Sequence, residues 1–155
     1  NKLMFRDSAL SVGSSTDGQL DIDADTEVEI TAPTIDLTAS TKVTISNDVD
    51  VTGRSVGGTP TPENDGSFDL SANNDFTCTT AGTTQITFTN QAAGQSGNIK
   101  FVQSGGHSVS ADTMVAINAD SLTALATTGT YHLAYYVTAA SGGNSVLVSV
   151  SSILT

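Results

Sequence analysis

A repeat of apolar pairs in the first third of the chain constrains its fold more than any other feature. Two apolar residues flanking one Asp, Glu or Thr recur about every eight positions, with successive pairs from Leu20 onward beginning 8, 7, 8 and 6 residues apart. The ten apolar residues are Leu20, Ile22, Val28, Ile30, Ile35, Leu37, Val43, Ile45, Val49 and Val51. Alternation with a period of two predicts short strands with one apolar face, and the spacing leaves no room for helices.

Strands this short cannot bury their apolar side chains within one chain. A stack of short hairpins has little apolar area per strand and two open edges. Three chains wound around one axis would enclose the ten apolar residues in a shared core, with acidic and hydroxyl side chains outside. We therefore predict that residues 1–52 form an attachment region and a repetitive β-stalk, an intertwined trimeric β-helix. The alternative is an edge meander packed on a second domain.

Glycine and proline separate the repeat from the rest of the chain. Residues 53–66 are predicted to be a linker, since a central strand tolerates neither the glycines nor the two prolines of this stretch. The residues that mark it are Gly53, Gly57, Gly58, Pro60, Pro62 and Gly66.

Residues 67–155 are predicted to be an antiparallel β-sandwich of jelly-roll type, so that the whole chain is all-β. Short segments with alternating apolar residues are separated by Gly- and Asn-containing turns. Gly94 to Gly97 is interpreted as a tight hairpin turn, and Ser121–Ala126 as a single helical turn. The predicted strands are Ser67–Leu70, Phe76–Thr79, Gln85–Thr89, Ser96–Gln103, Met114–Ile117, Gly129–Val137 and Ser145–Ile153.

Charge excludes several classes of partner. With 16 Asp and Glu against 5 Lys and Arg, the chain carries a formal charge of −11 and repels phosphate backbones and anionic membranes. We expect no nucleic-acid binding and no membrane insertion, because no apolar run is long enough to span a bilayer. The single Cys78 cannot form an internal disulfide and is interpreted as a small buried apolar residue.

No motif for catalysis, metal binding or a cofactor is present. The run from Asp21 to Asp25 lacks the Gly and Glu of a calcium loop, and clusters of Cys and His are absent. The stretch from Gly94 to Asn98 lacks the second Gly of a nucleophile elbow. No Asp or Glu lies at a sequence spacing from His107 or His132 that would indicate a catalytic pair. We expect no catalytic residues, no metal and no cofactor.

The tyrosines occur in one short segment. On a strand, Tyr131 and Tyr135 share a face with Leu133, while Tyr136 points to the opposite side. Such aromatics form either a sugar-binding platform, an interface or part of a sandwich core, and core packing is the favoured interpretation.

Two segments resemble bacteriophage structural proteins. The residues from Lys2 to Leu10, KLMFRDSAL, and from Asp17 to Asp25, DGQLDIDAD, are similar to segments that precede repeating Val/Ile and Asp/Thr strands in long tail-fibre and virion proteins. The stretch from Gly94 to His107 looks like the terminal sandwich domain of such proteins. Phage fibres usually exceed this length, so we expect either a fragment or a short appendage.

The resemblance implies a non-enzymatic virion component on the tail or capsid surface. We predict a homotrimeric fibre or spike that contacts other virion proteins and presents a β-sandwich head for attachment to a host-surface glycan or protein. One alternative is a capsid decoration protein, either a head fibre or a cement protein. A less favoured alternative is a glycan-degrading tailspike, which would need a carboxylate pair in a groove.

Overall fold

The computed structural model describes residues 3–4, 10–24, 26–39 and 43–151. By their internal contacts the residues divide into two compact units, 1–50 and 51–155. Residues 53–66, the predicted linker, fall within the second unit, where Thr61 and Pro62 form a short strand.

The first unit contains a three-stranded antiparallel meander. Its strands are β1 (Leu3–Met4), β2 (Ser11–Gly13) and β3 (Asp21–Asp23), in that order across the sheet. Val12 lies opposite Ile22, and the Ser11 hydroxyl donates a hydrogen bond to Asp23 Oδ2 at 3.1 Å. The described residues from 26 to 39 and from 43 to 50 form no helix or strand within the single chain. The strands predicted from Val28 to Val51 are therefore not formed there.

The second unit is all-β apart from one short helix. Its elements are β4 (Thr61–Pro62), β5 (Ser67–Asp69), β6 (Asp75–Thr80), β7 (Thr84–Thr89), β8 (Ser96–Gln103), β9 (Val109–Ala111), β10 (Val115–Ile117), α1 (Ala119–Ala124), β11 (Gly129–Val137) and β12 (Val146–Val150). They form a six-stranded sheet in the order β10-β12-β11-β8-β6-β4 and a three-stranded sheet in the order β5-β7-β9. The bounds predicted for β8 and β11 are confirmed.

From β4 to β9 the chain alternates between the two sheets. Strands β4, β6 and β8 pair in parallel in the larger sheet, and β5, β7 and β9 pair in parallel in the smaller one. Each strand therefore pairs with the next but one along the chain. Antiparallel pairing begins only with β11, which lies between β8 and β12, and β10 then adds in parallel to β12.

The prediction of an antiparallel sandwich is wrong for most of this unit, because the turns were located correctly but given the wrong geometry. Loops of three to six residues usually close hairpins. Here they carry the chain across to the facing sheet, and residues 90–95 link β7 to β8 in different sheets. The predicted hairpin turn from Gly94 to Gly97 is therefore wrong, since Ser96 and Gly97 already belong to β8. Alternating apolar residues fit both arrangements equally well, since either one buries one face of each strand.

The core lies between the two sheets and is built around four aromatic rings. Phe68 of β5 packs against Phe76 of β6 with ring centroids 5.4 Å apart, and Phe88 of β7 packs against Tyr135 of β11 at 5.1 Å. A third contact at 5.5 Å joins Phe68 to Phe88 within the smaller sheet. All four side chains are buried, so these contacts fasten the two sheets together.

A buried polar cluster closes one end of this core. The Gln103 side chain is 1% exposed, accepts a 2.6 Å hydrogen bond from the Thr80 hydroxyl and donates to the carbonyls of His107 and Leu125. The Tyr131 hydroxyl donates to the carbonyl of Ala124 at 2.7 Å, at the end of α1. Because these buried polar groups are paired, they anchor the surrounding loops without a desolvation penalty.

The helix begins two residues earlier than predicted, because a side chain caps it. Asn118 Oδ1 accepts hydrogen bonds from the backbone N–H groups of Asp120 and Ser121 at 2.8 and 3.3 Å. These are donors that the first turn of a helix leaves unpaired.

The free edge of β6 is protected by its neighbours. Pro62 of β4 lies opposite Thr77, and beyond it Asn64 Oδ1 accepts a 2.8 Å hydrogen bond from the backbone N–H of Thr79. A proline and a side-chain acceptor at the edge discourage further strand addition. The rule that proline cannot occupy a central strand is satisfied, since β4 is an edge strand.

We predict that Gly97→Ala destabilises the second unit by about 1–3 kcal/mol, the usual cost of overpacking. A Cβ at Gly97 would overlap the carbonyl oxygen of Asn74 and crowd the Tyr135 hydroxyl. Gly82→Ala is the matched control, because nothing lies within 4 Å of a Cβ there. Urea unfolding should show a lower midpoint for Gly97→Ala alone, and equal midpoints would contradict the close packing at Gly97.

Candidate functional site

The ten apolar residues of the repeat are all exposed in the single chain. Their side chains are 49–71% accessible, from Val28 at the lower bound to Leu20 and Leu37 at the upper. Among the described residues from 52 to 151, the only large apolar side chains that are exposed are Val56, Tyr136 and Leu147. An exposed apolar row of this length is unusual for a monomeric surface and typical of an interaction site.

Side-chain hydrogen bonds join polar residues two apart in three of the five repeats. Hydrogen bonds join Thr31 Oγ1 to Glu29 Oε1 at 3.2 Å and Thr38 Oγ1 to Asp36 Oδ1 at 3.0 Å. Gln19 Nε2 likewise donates to Asp21 Oδ1 at 2.5 Å. In an extended strand, residues two apart lie on the same side and the intervening residue faces the other way, so these contacts match the alternation of the repeat.

The three tyrosines divide between the core and the surface. Tyr131 and Tyr135 are 0% and 3% exposed, and the Tyr135 hydroxyl donates to the carbonyl of Asn74 at 2.8 Å. Tyr136 is 50% exposed on the opposite side of β11. Of the three aromatics considered for ligand binding, only Tyr136 presents its ring to solvent.

Tyr136 belongs to a solvent-facing surface formed by three neighbouring strands, which we call the outer sheet face. Strand register aligns its residues in three rows, Ser96–Tyr136–Leu147, Asn98–Ala134–Ser149 and Lys100–His132. Neighbouring rows are about 7 Å apart, because two residues of a strand span that distance.

A shallow depression lies at one end of this face. It has a volume of about 220 Å³ and is lined by Ala134, Tyr135, Tyr136, Leu147 and Ser149. The larger Tyr136 and Leu147 lie opposite each other in one row, and the smaller Ala134 and Ser149 lie opposite each other in the next. It is smaller than the roughly 300–1,000 Å³ of a pocket that encloses a small molecule.

A chain of hydrogen bonds crosses the middle of the face. Asn98 Oδ1 lies 3.0 Å from His132 Nε2, and Asn98 Nδ2 donates to Asp75 Oδ1 at 3.1 Å. Because an amide oxygen only accepts, Nε2 of His132 is assigned as the donor. The network holds the amide and the imidazole in fixed orientations. The sequence gives no sign of it, since the three residues come from three separate strands.

Cys78 is a further reactive side chain, and it lies in the core. Burial, with a smaller contribution from the nearby Asp65 carboxylate, raises the pKa of the Cys78 thiol to about 11, so it stays protonated at neutral pH. Cys78 is fully buried, which confirms its interpretation as a small core residue. Among the residues that the structure describes, no group of three or more His, Cys, Asp and Glu is arranged to hold a metal ion.

The described part of the chain holds no helix with the length and apolar character needed to cross a membrane. Asp25 and most of the segment from Lys2 to Ala9 lie outside the described residues. The geometry of the three-aspartate run and of the first segment resembling phage proteins is accordingly not described.

Comparisons with known proteins yield no relative. The sequence matches no protein-family model and no curated protein, and the structure matches no solved structure.

We predict that stability falls between pH 10 and 12 through ionisation of Tyr135. Burial, and secondarily the charge of Asp75, raises the pKa of the Tyr135 phenol from 10 to about 12. The stabilisation is complete below pH 10, and it is lost as the pH rises toward 12, because the unfolded state ionises first.

Tyr135→Phe is the comparison for this prediction. It should lose about 1 kcal/mol at neutral pH with its hydrogen bond, yet show a flatter decline than the unmodified protein in alkali. Both proteins contain Cys78, so the ionisation of its thiol affects both stability curves equally and cancels in their difference. Thermal unfolding from pH 9 to 12 measures the difference, and identical slopes would contradict the assignment to Tyr135.

Proposed function

We propose that the chain is a non-enzymatic structural protein whose first unit assembles into a homotrimeric β-stalk and whose second unit is the head that the stalk presents. The observation that carries this proposal is the set of ten exposed apolar residues, eight of which, from Val28 to Val51, lie outside any strand of the single chain. A chain–chain core would remove this row from water, at roughly 25 cal/mol for each Å² of apolar surface buried.

A trimer would supply strand partners for the part of the repeat that forms no strand in the single chain. Residues 26–39 and 43–50 form no strand alone, so their backbone N–H and C=O groups are available to pair with other chains. Three copies wound as an intertwined β-helix would pair these groups and enclose the apolar row together, with Glu29, Asp36 and their hydroxyl partners outside. Acidic side chains on that outer surface would discourage further association.

We infer that the protein belongs to a bacteriophage virion, as a tail fibre or spike. The support for this inference is the resemblance of the segments KLMFRDSAL and DGQLDIDAD to virion proteins, together with a stalk-like repeat followed by a compact all-β unit. Three heads on one axis would raise the avidity for a repeated host-surface ligand without strong single contacts.

We predict that Ile30→Asp and Ile45→Asp each disperse the trimer. Each substitution would bury three unpaired carboxylates in the chain–chain core, and the penalty for burying an unpaired charge exceeds the gain from the remaining apolar contacts. Native mass spectrometry should find three times 15.8 kDa for the unmodified chain and 15.8 kDa for either variant.

The matched controls are Thr31→Asp and Thr44→Asp. They add the same charge one residue away on the polar side of the repeat, so the trimer should persist. Equal dispersal by Thr31→Asp and Ile30→Asp would overturn the sidedness of the stalk. A monomeric unmodified chain would overturn the trimer itself.

Antibody labelling of purified particles tests the virion assignment. Label on the tail supports the fibre or spike, whereas label on the head supports the alternative of a capsid decoration protein. Absence of the chain from particles would overturn the assignment to a virion. The trimer is tested separately, by native mass spectrometry.

A further inference from the structure

The second unit contains two cationic side chains, Arg54 and Lys100, and Lys100 is the one that lies on the outer sheet face. Lys100 is the only Lys or Arg among residues 55–155, which contain six Asp and Glu. It is exposed and lies directly opposite His132 in the pairing of β8 with β11. Of the six carboxylates, Asp75 borders this face, and it accepts hydrogen bonds from both the backbone and the side chain of Asn98.

The apolar groups of the face lie at its other end. Tyr136 lies four positions after His132 on β11, a distance of about 13 Å at the usual rise of a strand. Ala134, which lines the depression, lies between them. A ligand along β11 would therefore meet an aromatic ring at one end and an ammonium group at the other.

The polar groups between these ends are suited to hydroxyl-rich ligands. The Asn98 amide is held by His132 and Asp75, and an NH₂ group has a second hydrogen to donate beyond the one that Asp75 accepts. The Ser149 hydroxyl lies in the same row as Asn98 and Ala134. Fixed donors and acceptors reduce the ordering cost of binding.

Other ligand classes fit this face poorly. Nucleic acids require several cations along a phosphate backbone, and here there is one lysine in a chain of net charge −11. A stable protein interface buries about 800 Å² on each partner around an apolar centre, whereas Tyr136 and Leu147 alone supply the large apolar groups here. A sugar needs only one ring to pack against, hydrogen-bonding groups beside it and, if acidic, one cation.

We propose that the outer sheet face binds a carboxylated oligosaccharide along β11, with the apolar face of one sugar ring on Tyr136 and the carboxylate of another on Lys100. This inference rests on the proposed function in so far as the second unit is a binding head. It concerns the second unit alone and does not require the trimer.

The test uses the full chain and a panel of acidic oligosaccharides, namely oligogalacturonates, hyaluronan fragments and sialyllactose, each beside its methyl ester. Binding is measured by calorimetry and mapped by amide chemical shifts. We expect the free acids to bind, the shifts to cluster on β8, β11 and β12, and the esters to bind about five- to tenfold more weakly, as for one lost charge-assisted contact.

Three variants locate the site. Lys100→Gln should reduce the affinity for the acid to that for the ester and leave the ester unchanged. Tyr136→Ala should weaken both ligands about tenfold, the effect of losing one stacked ring, while Tyr136→Phe should retain binding. Gln85→Ala, an exposed change on the smaller sheet, is the control with no expected effect.

Binding of no acid in the panel, equal binding of acids and esters, or shifts confined to other strands would each overturn the proposal. The oligomeric mass is measured on the same samples. Loss of binding in a protein that remains trimeric therefore contradicts the glycan site alone, and a monomer that binds contradicts the stalk alone.

Discussion

Each sheet of the second unit has one apolar face, and neither face is stable in water unless the other sheet covers it. Phe68 and Phe88 project from the smaller sheet, and Phe76 and Tyr135 from the larger, so that the four rings meet between them. The remaining features of this unit depend on that contact. At Gly97, β8 lies close to the carbonyl oxygen of Asn74, which also accepts the hydrogen bond of the Tyr135 hydroxyl. The cluster around Gln103 closes the end of the same interior.

Covering one face of the larger sheet leaves the opposite face exposed. Residues of β8, β11 and β12 that alternate with the core residues therefore line up as a continuous surface with a fixed spacing. This is the origin of the outer sheet face: Ile99, Leu133 and Val148 are buried, and the intervening Lys100, His132 and Ser149 point to solvent. A rigid scaffold of this kind holds side chains from three strands in one arrangement, which a loop of comparable size would not do.

The first unit presents the opposite situation. It has an apolar row but no second layer to cover it, since the described residues from 26 to 50 form no sheet of their own. Hydrogen bonds such as that between Thr38 and Asp36 keep the polar side chains together and leave Leu37 exposed. In the proposed trimer, the other copies of the chain would cover this row.

The sequence alone determined the class and position of most elements. Alternating apolar residues located β8 and β11 and predicted that Tyr131 and Tyr136 face opposite ways, because the side-chain period of a strand is a local property. Only the tertiary structure decided how those strands pair. The short loop between β6 and β7 could have closed a hairpin, but it carries the chain to the other sheet. That crossing depends on the packing of Phe76 against Phe68, whose strands do not pair with each other. The hydrogen bonds joining Asp75, Asn98 and His132 were likewise invisible in the sequence, since strand register, and not proximity along the chain, brings these three residues together.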